Sequence, residues 1–507
     1  MNCKATNRIS LRPTQVDLRA EAGTPLRDLL FEQGVEFPCG GQGRCRGCRV
    51  RVLEGAAEVN PAQRERLSPD EIANGWRLAC QCVVTSDLVI ELRQWDAAIL
   101  VDDTPFAFLP REGLGVAVDL GTTTLVAQLL DLRAGRVLAV RTALNAQARQ
   151  GADVMSRVQF ATAPGGQRQL EVLIRSQIGK LIVQLLSAAN RSGSEVRDVV
   201  LVGNTVMHHL FCGFTVEPLA QFPFESERTG LAVFQAGELG WDFSADSRVR
   251  FLPCLGGFVG SDVLAGILAT KLGDGEGLTG LIDLGTNGEI VIGTRAKMLC
   301  ASTAAGPAFE GARISMGMRA STGAISEVTQ DQGGVKCHVL GNASPSGLCG
   351  SGLVDAVAVG LERGVIDPSG RLANGRNPWV LCPPVSLTQN DVRELQLAKA
   401  AIAAGVRVLL ERWGATSLTR LYLAGAFGNY INRASAHRIG LLSFPPDSVE
   451  AAGNTALLGA KLALFSLDGE DGAYGDLRRR VEHVALNADP SFQDVFVEEL
   501  AFPTVAA

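Results

Sequence analysis

Alternation of apolar and polar positions opens the chain. In RISLRPTQVDLRAEAG (8–23), Ile9 and Leu11, then Val16, Leu18 and Ala20, fall at every second position, which predicts a β-hairpin. The spacing changes at Leu26, Leu29 and Leu30 to that of a short helix, with Thr24 placed as its N-cap. CRVRVLEG (48–55) and DLVIEL (87–92) alternate again and predict two further strands. A small sheet crossed by one helix is a β-grasp arrangement. Beyond residue 112 the apolar runs lengthen. GLGVAVDLGTTTLVAQLLDL (113–132) and LTGLIDLGTNGEIVIG (278–293) each read as a buried strand, a Gly-Thr tip and a second strand. LTRLYLAGAFGNYINRA (418–434) reads as a buried strand entering a glycine turn and then a helix. LAKAAIAAGVRVLLERWG (397–414) carries a helical apolar stripe, a packing face.

Composition narrows the classes. A chain of 507 residues exceeds one ordinary core, so two or three domains are expected. The formal net charge of −6 leaves no polybasic footprint and argues against nucleic-acid binding. The polar, alternating start is unlike a signal peptide, and no apolar run reaches membrane-spanning length, so a cytoplasmic protein is expected. In that setting 12 cysteines point to metal ligands and buried thiols rather than disulfides.

The cysteines that carry chemistry lie in FPCGGQGRCRGCRV (37–50). Cys39, Cys45 and Cys48 are spaced C-x5-C-x2-C, and Cys80 follows in WRLACQC. Four thiolates can hold a [2Fe–2S] cluster or a zinc ion. Gly40, Gly41, Gly43 and Gly47 favour the cluster, because its sulfurs carry negative charge that close backbone N–H groups stabilise. Zinc sites bring their cysteines as similar pairs, and here only CRGC and the looser CQC are present. Cys82 competes with Cys80, since on a strand the two would share a face; it is read as a buried thiol. Arg44, Arg46, Arg49 and Arg51 surround the loop and either steer an acidic redox partner or merely solvate it.

The two DLGT copies, 164 residues apart from Asp119 to Asp283, are an internal duplication. One such tip could be an ordinary hairpin turn; two at this separation suit phosphate binding. Gly121 and Gly285 let backbone N–H groups face an anion, and Thr122, Thr123, Thr124, Thr286 and Asn287 add donors. Asp119 and Asp283 end the incoming strands and can hold water on Mg2+. Glu289 could orient an attacking water or be a solvated strand residue. Gly425 and Gly428 would let backbone lie against the base and ribose of a nucleotide. AAGPAFEGARISMG (304–317), with Glu310 and Arg313, lines the cleft or is a plain loop. His208 and His209 invite a ligand role; the plainer reading is a helix after VGNT with one histidine buried and one exposed.

The set resembles the superfamily of acetate and sugar kinases, Hsp70 and actin: DLGTTT is similar to its first phosphate motif, DLGTNGE to its second and LAGAFGN to its adenosine motif. No G-x4-G-K-[ST] is present. Joined to a ferredoxin-like loop, with VGNTVMHHL and LAGAFGNYI, the chain resembles the reductive activators of corrinoid proteins. The resemblance implies an α/β and α+β multidomain protein: a β-grasp [2Fe–2S] ferredoxin domain (1–95), a linker (96–112), and a duplicated actin-like/Hsp70-like ATPase core (113–507) with lobes of about 113–275 and 276–507. It implies ATP and Mg2+, a corrinoid protein of a methyltransferase system as partner, an upstream low-potential electron donor, and an electron passed to Co(II) to regenerate Co(I). A homodimer is left open. Relatives carry an extra region after the ferredoxin part, for which this chain has only the segment from Asp96 to Glu112. Plant-type [2Fe–2S] centres sit near about −400 mV. The family's acceptor is harder to reduce, so nucleotide must favour one conformation of the complex to offset the gap. Two other readings remain at this point. One is a small-molecule kinase with a redox sensor, for which no acceptor base is identifiable. The other is an electron carrier fused to a nucleotide-gated interaction module.

Overall fold

The computed structural model describes residues 6–12, 16–31, 33, 43, 48–92, 110–151, 153–285, 287–311, 313–321, 323–373, 377–428, 430–465 and 472–504. The expected linker therefore lies almost wholly outside the described residues.

The N-terminal sheet has five strands in the order β2-β1-β5-β3-β4. They are β1 (Thr6–Arg12), β2 (Val16–Glu21), β3 (Arg49–Glu54), β4 (Trp76–Leu78) and β5 (Leu88–Leu92). Ile9, Leu11 and Ile90 point to one face and are fully buried, as alternation requires. Helix α1 (Leu26–Phe31) covers that face through Leu26 and Leu30. It starts two residues after Thr24, which is not its cap. The Thr24 carbonyl is committed to the Val84 N–H at 2.9 Å, so the chain is still extended there. Two short helices escaped the periodicity reading, α2 (Pro61–Arg66) and α3 (Pro69–Ala73), capped by Asn60 and Ser68.

The remaining chain forms two sheets of six strands, ordered β10-β11-β9-β6-β7-β8 and β21-β20-β12-β13-β14-β22. The first lobe contains β6 (Leu114–Leu120), β7 (Thr124–Asp131), β8 (Arg136–Leu144), α4 (Val154–Thr162), α5 (Gly166–Ala189) and β9 (Val196–Val202). It continues with α6 (Thr205–Cys212), α7 (Glu217–Ala220), β10 (Ala232–Gln235), β11 (Arg248–Phe251) and α8 (Ser261–Thr270). Helix α5 is long and apolar enough by composition to cross a bilayer. Here Leu170, Ile174, Ile178, Leu181, Ile182 and Leu185 form its buried stripe within the lobe core. Each such residue contributes about 1.5–3 kcal/mol on burial.

The second lobe begins with β12 (Thr279–Leu284), β13 (Gly288–Gly293) and β14 (Met298–Thr303). A smaller layer follows: β15 (Ala324–Gln330), β16 (Val335–Val339), β17 (Gly347–Leu348), α9 (Gly350–Glu362), β18 (Trp379–Cys382) and β19 (Val385–Leu387). The lobe is completed by α10 (Gln389–Trp413), β20 (Arg420–Ala424), α11 (Gly425–Gly428), α12 (Arg433–Arg438), β21 (Val449–Gly453), α13 (Thr455–Phe465), α14 (Gly472–Arg480), β22 (Val481–His483) and α15 (Phe492–Glu498). In both lobes an antiparallel hairpin is followed by a parallel neighbour: β9 beside β6, and β20 beside β12. A second parallel strand lies outside each, β11 and β21, and leads to α8 and α13 respectively. Those two helices pack against each other. The duplication is thus structural as well as textual.

Candidate active site

The hairpin β6–β7 is closed by Gly121, where a Cβ would lie 2.6 Å from the Thr124 carbonyl oxygen, so only glycine fits. Three side chains from elsewhere in the lobe clamp this tip. Asn145 donates from Nδ2 to the Gly121 carbonyl at 3.0 Å, and its N–H bonds the Thr123 carbonyl at 2.9 Å. Arg157, fully buried, donates from Nη2 to the Thr122 carbonyl at 2.5 Å and from Nε to the Gly151 carbonyl at 2.9 Å. Asn204 donates from Nδ2 to the Thr122 hydroxyl at 2.8 Å while capping α6 through Met207. Thr123 reaches across to Glu310 of the second lobe, 3.5 Å from hydroxyl to carboxylate, which places AAGPAFEG at the cleft. Thr124 is the exposed first residue of β7.

The second hairpin is built differently. The Gly285 N–H is donated to the Asn287 carbonyl at 3.0 Å. It closes its own turn rather than facing outward, contrary to the expectation from the sequence. Thr286 lies outside the described residues. Gly425, at φ +83°, is required for another reason than the one expected: a Cβ there would lie 2.5 Å from Asp283 Oδ1 and 2.7 Å from the Leu284 carbonyl oxygen. The glycine lets β20 press against the carboxylate strand. Gly428 packs over Leu423, and between the two glycines Phe427 stacks on Phe309 at 4.6 Å.

Four carboxylates gather where the hairpins meet. Asp119 is next to last in β6 and Asp283 next to last in β12; Glu289 is the ladder partner of Asp283 on β13; Asp262 lies in the first turn of α8. The aspartates keep a strip of exposure although dense protein surrounds them, and Glu289 is buried, not a solvated strand residue. Burial raises the Asp119 pKa to about 6, against a lowering hydrogen bond from Asn454. Burial, then the charge of Asp119, raises Asp283 to about 7. Burial and mutual repulsion also raise Asp262 and Glu289. Such a cluster favours a divalent cation. Among the described residues no three His, Cys, Asp or Glu side chains converge closely enough to ligate one ion directly. The donor set therefore fits Mg2+ held through its own waters. Asp262, Asn145, Arg157, Asn204 and Asn454 were not identified from the sequence. One signal was available: Gly-Asn-Thr occurs at 203–205 and again at 453–455.

At the other end of the chain, the sulfur atoms of Cys48 and Cys80 lie 3.4 Å apart. Residues 79–81 form a 3-10 turn rather than a strand, so Cys80 and Cys82 do not share a face. Cys82 turns into the core, 4 % exposed, with its Sγ 3.4 Å from the Leu78 carbonyl oxygen. Burial pushes its thiol up to about 12. Gly43 has φ +70° and sits against Gln81, the neighbour of Cys80. Cys39 and Cys45 lie outside the described residues. Two adjacent thiols, Cys48 and Cys80, fit part of the ligand set of a [2Fe–2S] cluster. Arg49 is engaged by Glu71 at 2.9 Å, and Arg51 by the Asn74 carbonyl at 3.1 Å.

The two histidines are both fully buried, not one. The loop after α6 folds back over the helix: His209 bonds the Thr205 carbonyl and the Ser226 hydroxyl, each at 2.8 Å, and His208 Nε2 lies 3.2 Å from the Gly230 carbonyl oxygen. Burial lowers the His208 pKa to about 3, with His209 adding to it.

Comparison with known proteins gives three family matches. Residues 278–507 match the C-terminal domain of RACo, the ASKHA domain; 114–274 match the RACo middle region; 9–85 match the 2Fe-2S iron-sulfur cluster binding domain. The middle region of that family thus corresponds to the first lobe. The chain is 34 % identical to the corrinoid activation enzyme RamQ of Eubacterium limosum, over 96 % of this chain and 95 % of the relative. It is 28 % identical to a [Co(II) methylated amine-specific corrinoid protein] reductase of Methanosarcina barkeri, over 77 % of each. A solved structure described as a reductive activator for corrinoid, iron-sulfur protein superposes with a TM-score of 0.71 at 28 % identity, covering 98 % of both chains.

Proposed function

The chain belongs to the family of reductive activators of corrinoid proteins, and on that premise we propose how its residues share the work. It couples ATP hydrolysis to the one-electron reduction of a Co(II) corrinoid protein, returning cobalt to Co(I) for methyl transfer. The [2Fe–2S] cluster, when bound, supplies single electrons at low potential. Cys39, Cys45, Cys48 and Cys80 would hold it, and Cys82 is left as a core thiol. An upstream low-potential donor would reload it, in a cytoplasmic setting that keeps thiolate ligands reduced.

ATP is assigned to the cleft between the hairpins. Gly121, Thr122, Thr123 and Thr124 would face the phosphates from the first lobe, with Thr286 and Asn287 opposite on the turn that Gly285 closes. Gly425 and Gly428 would border the adenosine. Asp119 and Asp283 would hold the waters of Mg2+, and Glu289, beside Asp283, would orient the attacking water. The observation that carries this reading is the convergence of both DLGT strands on one carboxylate cluster. Asp119, Asp283, Asp262 and Glu289 repel one another when ionised, so a divalent cation brought with the nucleotide would relieve that repulsion. To drive an unfavourable transfer, ATP would have to bind two arrangements of the complex unequally. The test is an anaerobic mixture with a Co(II) corrinoid protein, followed by the Co(I) absorption band. Co(I) that forms equally with and without ATP removes the coupled reading.

A further inference from the structure

The duplication locates a residue to which neither phosphate motif points. In the first lobe β11 leads into α8, and in the second β21 leads into α13, so Asp262 and Asn454 stand at corresponding helix starts. Their chemistry differs. Asp262 adds charge beside Asp283. Asn454 supplies a neutral donor: its Nδ2 donates to Asp119 Oδ2 at 2.9 Å, while its Oδ1 accepts the Leu457 N–H at 2.8 Å.

The place of Asn454 in the chain is as informative as its contacts. Strand β21 pairs with β20 in the second-lobe sheet. Helix α13 packs on α8, β6 and β9 of the first lobe. Asn454 is therefore where the chain passes from one lobe to the other, and its bond to Asp119 ties a second-lobe strand end to a first-lobe carboxylate. With one oxygen committed to an amide, the carboxylate loses freedom to turn about its terminal torsion. A lysine or arginine there would fix it as well, but would neutralise the charge that a hydrated cation needs.

We propose that Asn454 is a positioning residue for ATP hydrolysis, holding the Asp119 carboxylate in the orientation that the cation's water requires and linking that orientation to the relative placement of the lobes. This rests on the reading of the cleft as the site of ATP hydrolysis. Asn454 acts through Asp119 and is assigned no contact with substrate.

The cap and the donor can be separated. Ser and Thr accept the Leu457 N–H nearly as well as Asn does. Their hydroxyls are one bond shorter than the amide and fall short of Asp119, and neither adds a charge to the carboxylate cluster. In Asn454→Ser and Asn454→Thr the thermal unfolding midpoint should stay within about 3 °C of the parent. The kcat for ATP hydrolysis by the full chain should fall by about ten- to a hundredfold, with KM for ATP within about twofold. A parental kcat in the Ser variant overturns the proposal, as does a raised KM with kcat intact. A parent that hydrolyses no ATP removes the cleft reading and this inference with it; active parent and equally active variants remove this inference alone.

Discussion

Asp28 of the N-terminal domain accepts a hydrogen bond from the Gly341 N–H of the second lobe, with 3.1 Å between nitrogen and Oδ2. The carboxylate is 1 % exposed and also has His338 Nε2 3.4 Å away, while Asn342 donates to the Gly23 carbonyl at 3.2 Å. Gly341 has φ +74°, a conformation that favours glycine. The helix that carries Asp28 packs on the Ala79–Gln81 turn, and the Leu26 N–H bonds the Cys82 carbonyl at 2.9 Å. The contact with the ATPase core thus begins one layer from a proposed cluster ligand.

Asp28→Ala should loosen that docking without touching the cluster. It leaves the Gly341 N–H without its acceptor, a loss of about 1.5–3 kcal/mol for a bond to a charged group. Small-angle scattering should show a larger radius of gyration than the parent, with an unchanged visible spectrum of the iron–sulfur protein. An unchanged radius would mean that other contacts suffice to hold the domain.

The two cysteines after Leu78 should separate cleanly. Cys80→Ala removes a sulfur 3.4 Å from Cys48 and should abolish the brown colour and the roughly two irons per chain. Cys82→Ala removes a buried thiol, and should keep the iron while lowering stability by about 1–2 kcal/mol. Stoichiometric zinc in anaerobically purified protein, with no iron, would reject the cluster assignment.

Asp355 offers a pH test away from the cleft. It lies in α9, 2 % exposed, with Oδ2 accepting from the Val328 N–H at 3.3 Å. Burial raises its pKa from 3.8 to about 7, against lowering hydrogen bonds from Ser435 and Val328. A raised folded-state pKa means that the unfolded chain releases its proton first. The stability that Asp355 contributes is fully present below pH 3.8 and is lost as pH rises through about 7. Asp355→Asn should therefore stabilise by about 1–3 kcal/mol at pH 8 and change little at pH 4.5, read by denaturant unfolding. Equal effects at both pH values would show that this carboxyl is not carrying a proton in the fold.

What the sequence made legible was local. The first sheet follows from period-two alternation, and the DLGT hairpins from apolar runs around a repeated Gly-Thr tip, neither of which needs knowledge of distant neighbours. Cys80 and Cys82 were harder, because two-residue spacing means one face only on a strand, and Ala79–Gln81 form a 3-10 turn. The burial of both His208 and His209 depends on a later loop, through Ser226 and Gly230, which helical periodicity cannot see. Arg157 and Asn145 reach the first phosphate tip from separate elements with no repeat to announce them. Asn454 was concealed for the same reason, although the same Gly-Asn-Thr tripeptide, at 203–205, was on view.

The coupling itself is tested by separating the two chemistries within one chain. Asp283 is next to last in β12, borders Gly425 and faces Asp262, Asp119 and Glu289, far in sequence from every proposed cluster ligand. Asp283→Asn keeps the side chain's shape and removes one of the mutually repelling charges, so the fold should survive, with equal or higher stability without nucleotide. ATP turnover should drop by about two orders of magnitude or more, because the charge that orders the cation's waters is gone. The cluster should still accept an electron from dithionite, since Cys48 and Cys80 are untouched. Mixed with a Co(II) corrinoid protein and ATP, this variant should give no more Co(I) than the parent gives without ATP. Removal of residues 1–95 should produce the opposite pattern, with ATP hydrolysis largely retained and Co(I) formation lost unless an external reductant replaces the cluster. A full-length Asp283→Asn protein that reduces its partner as well as the parent would show that hydrolysis at this cleft is not what drives the electron. The chain would then be an electron carrier joined to a nucleotide-gated module, and the carboxylate cluster would serve binding alone.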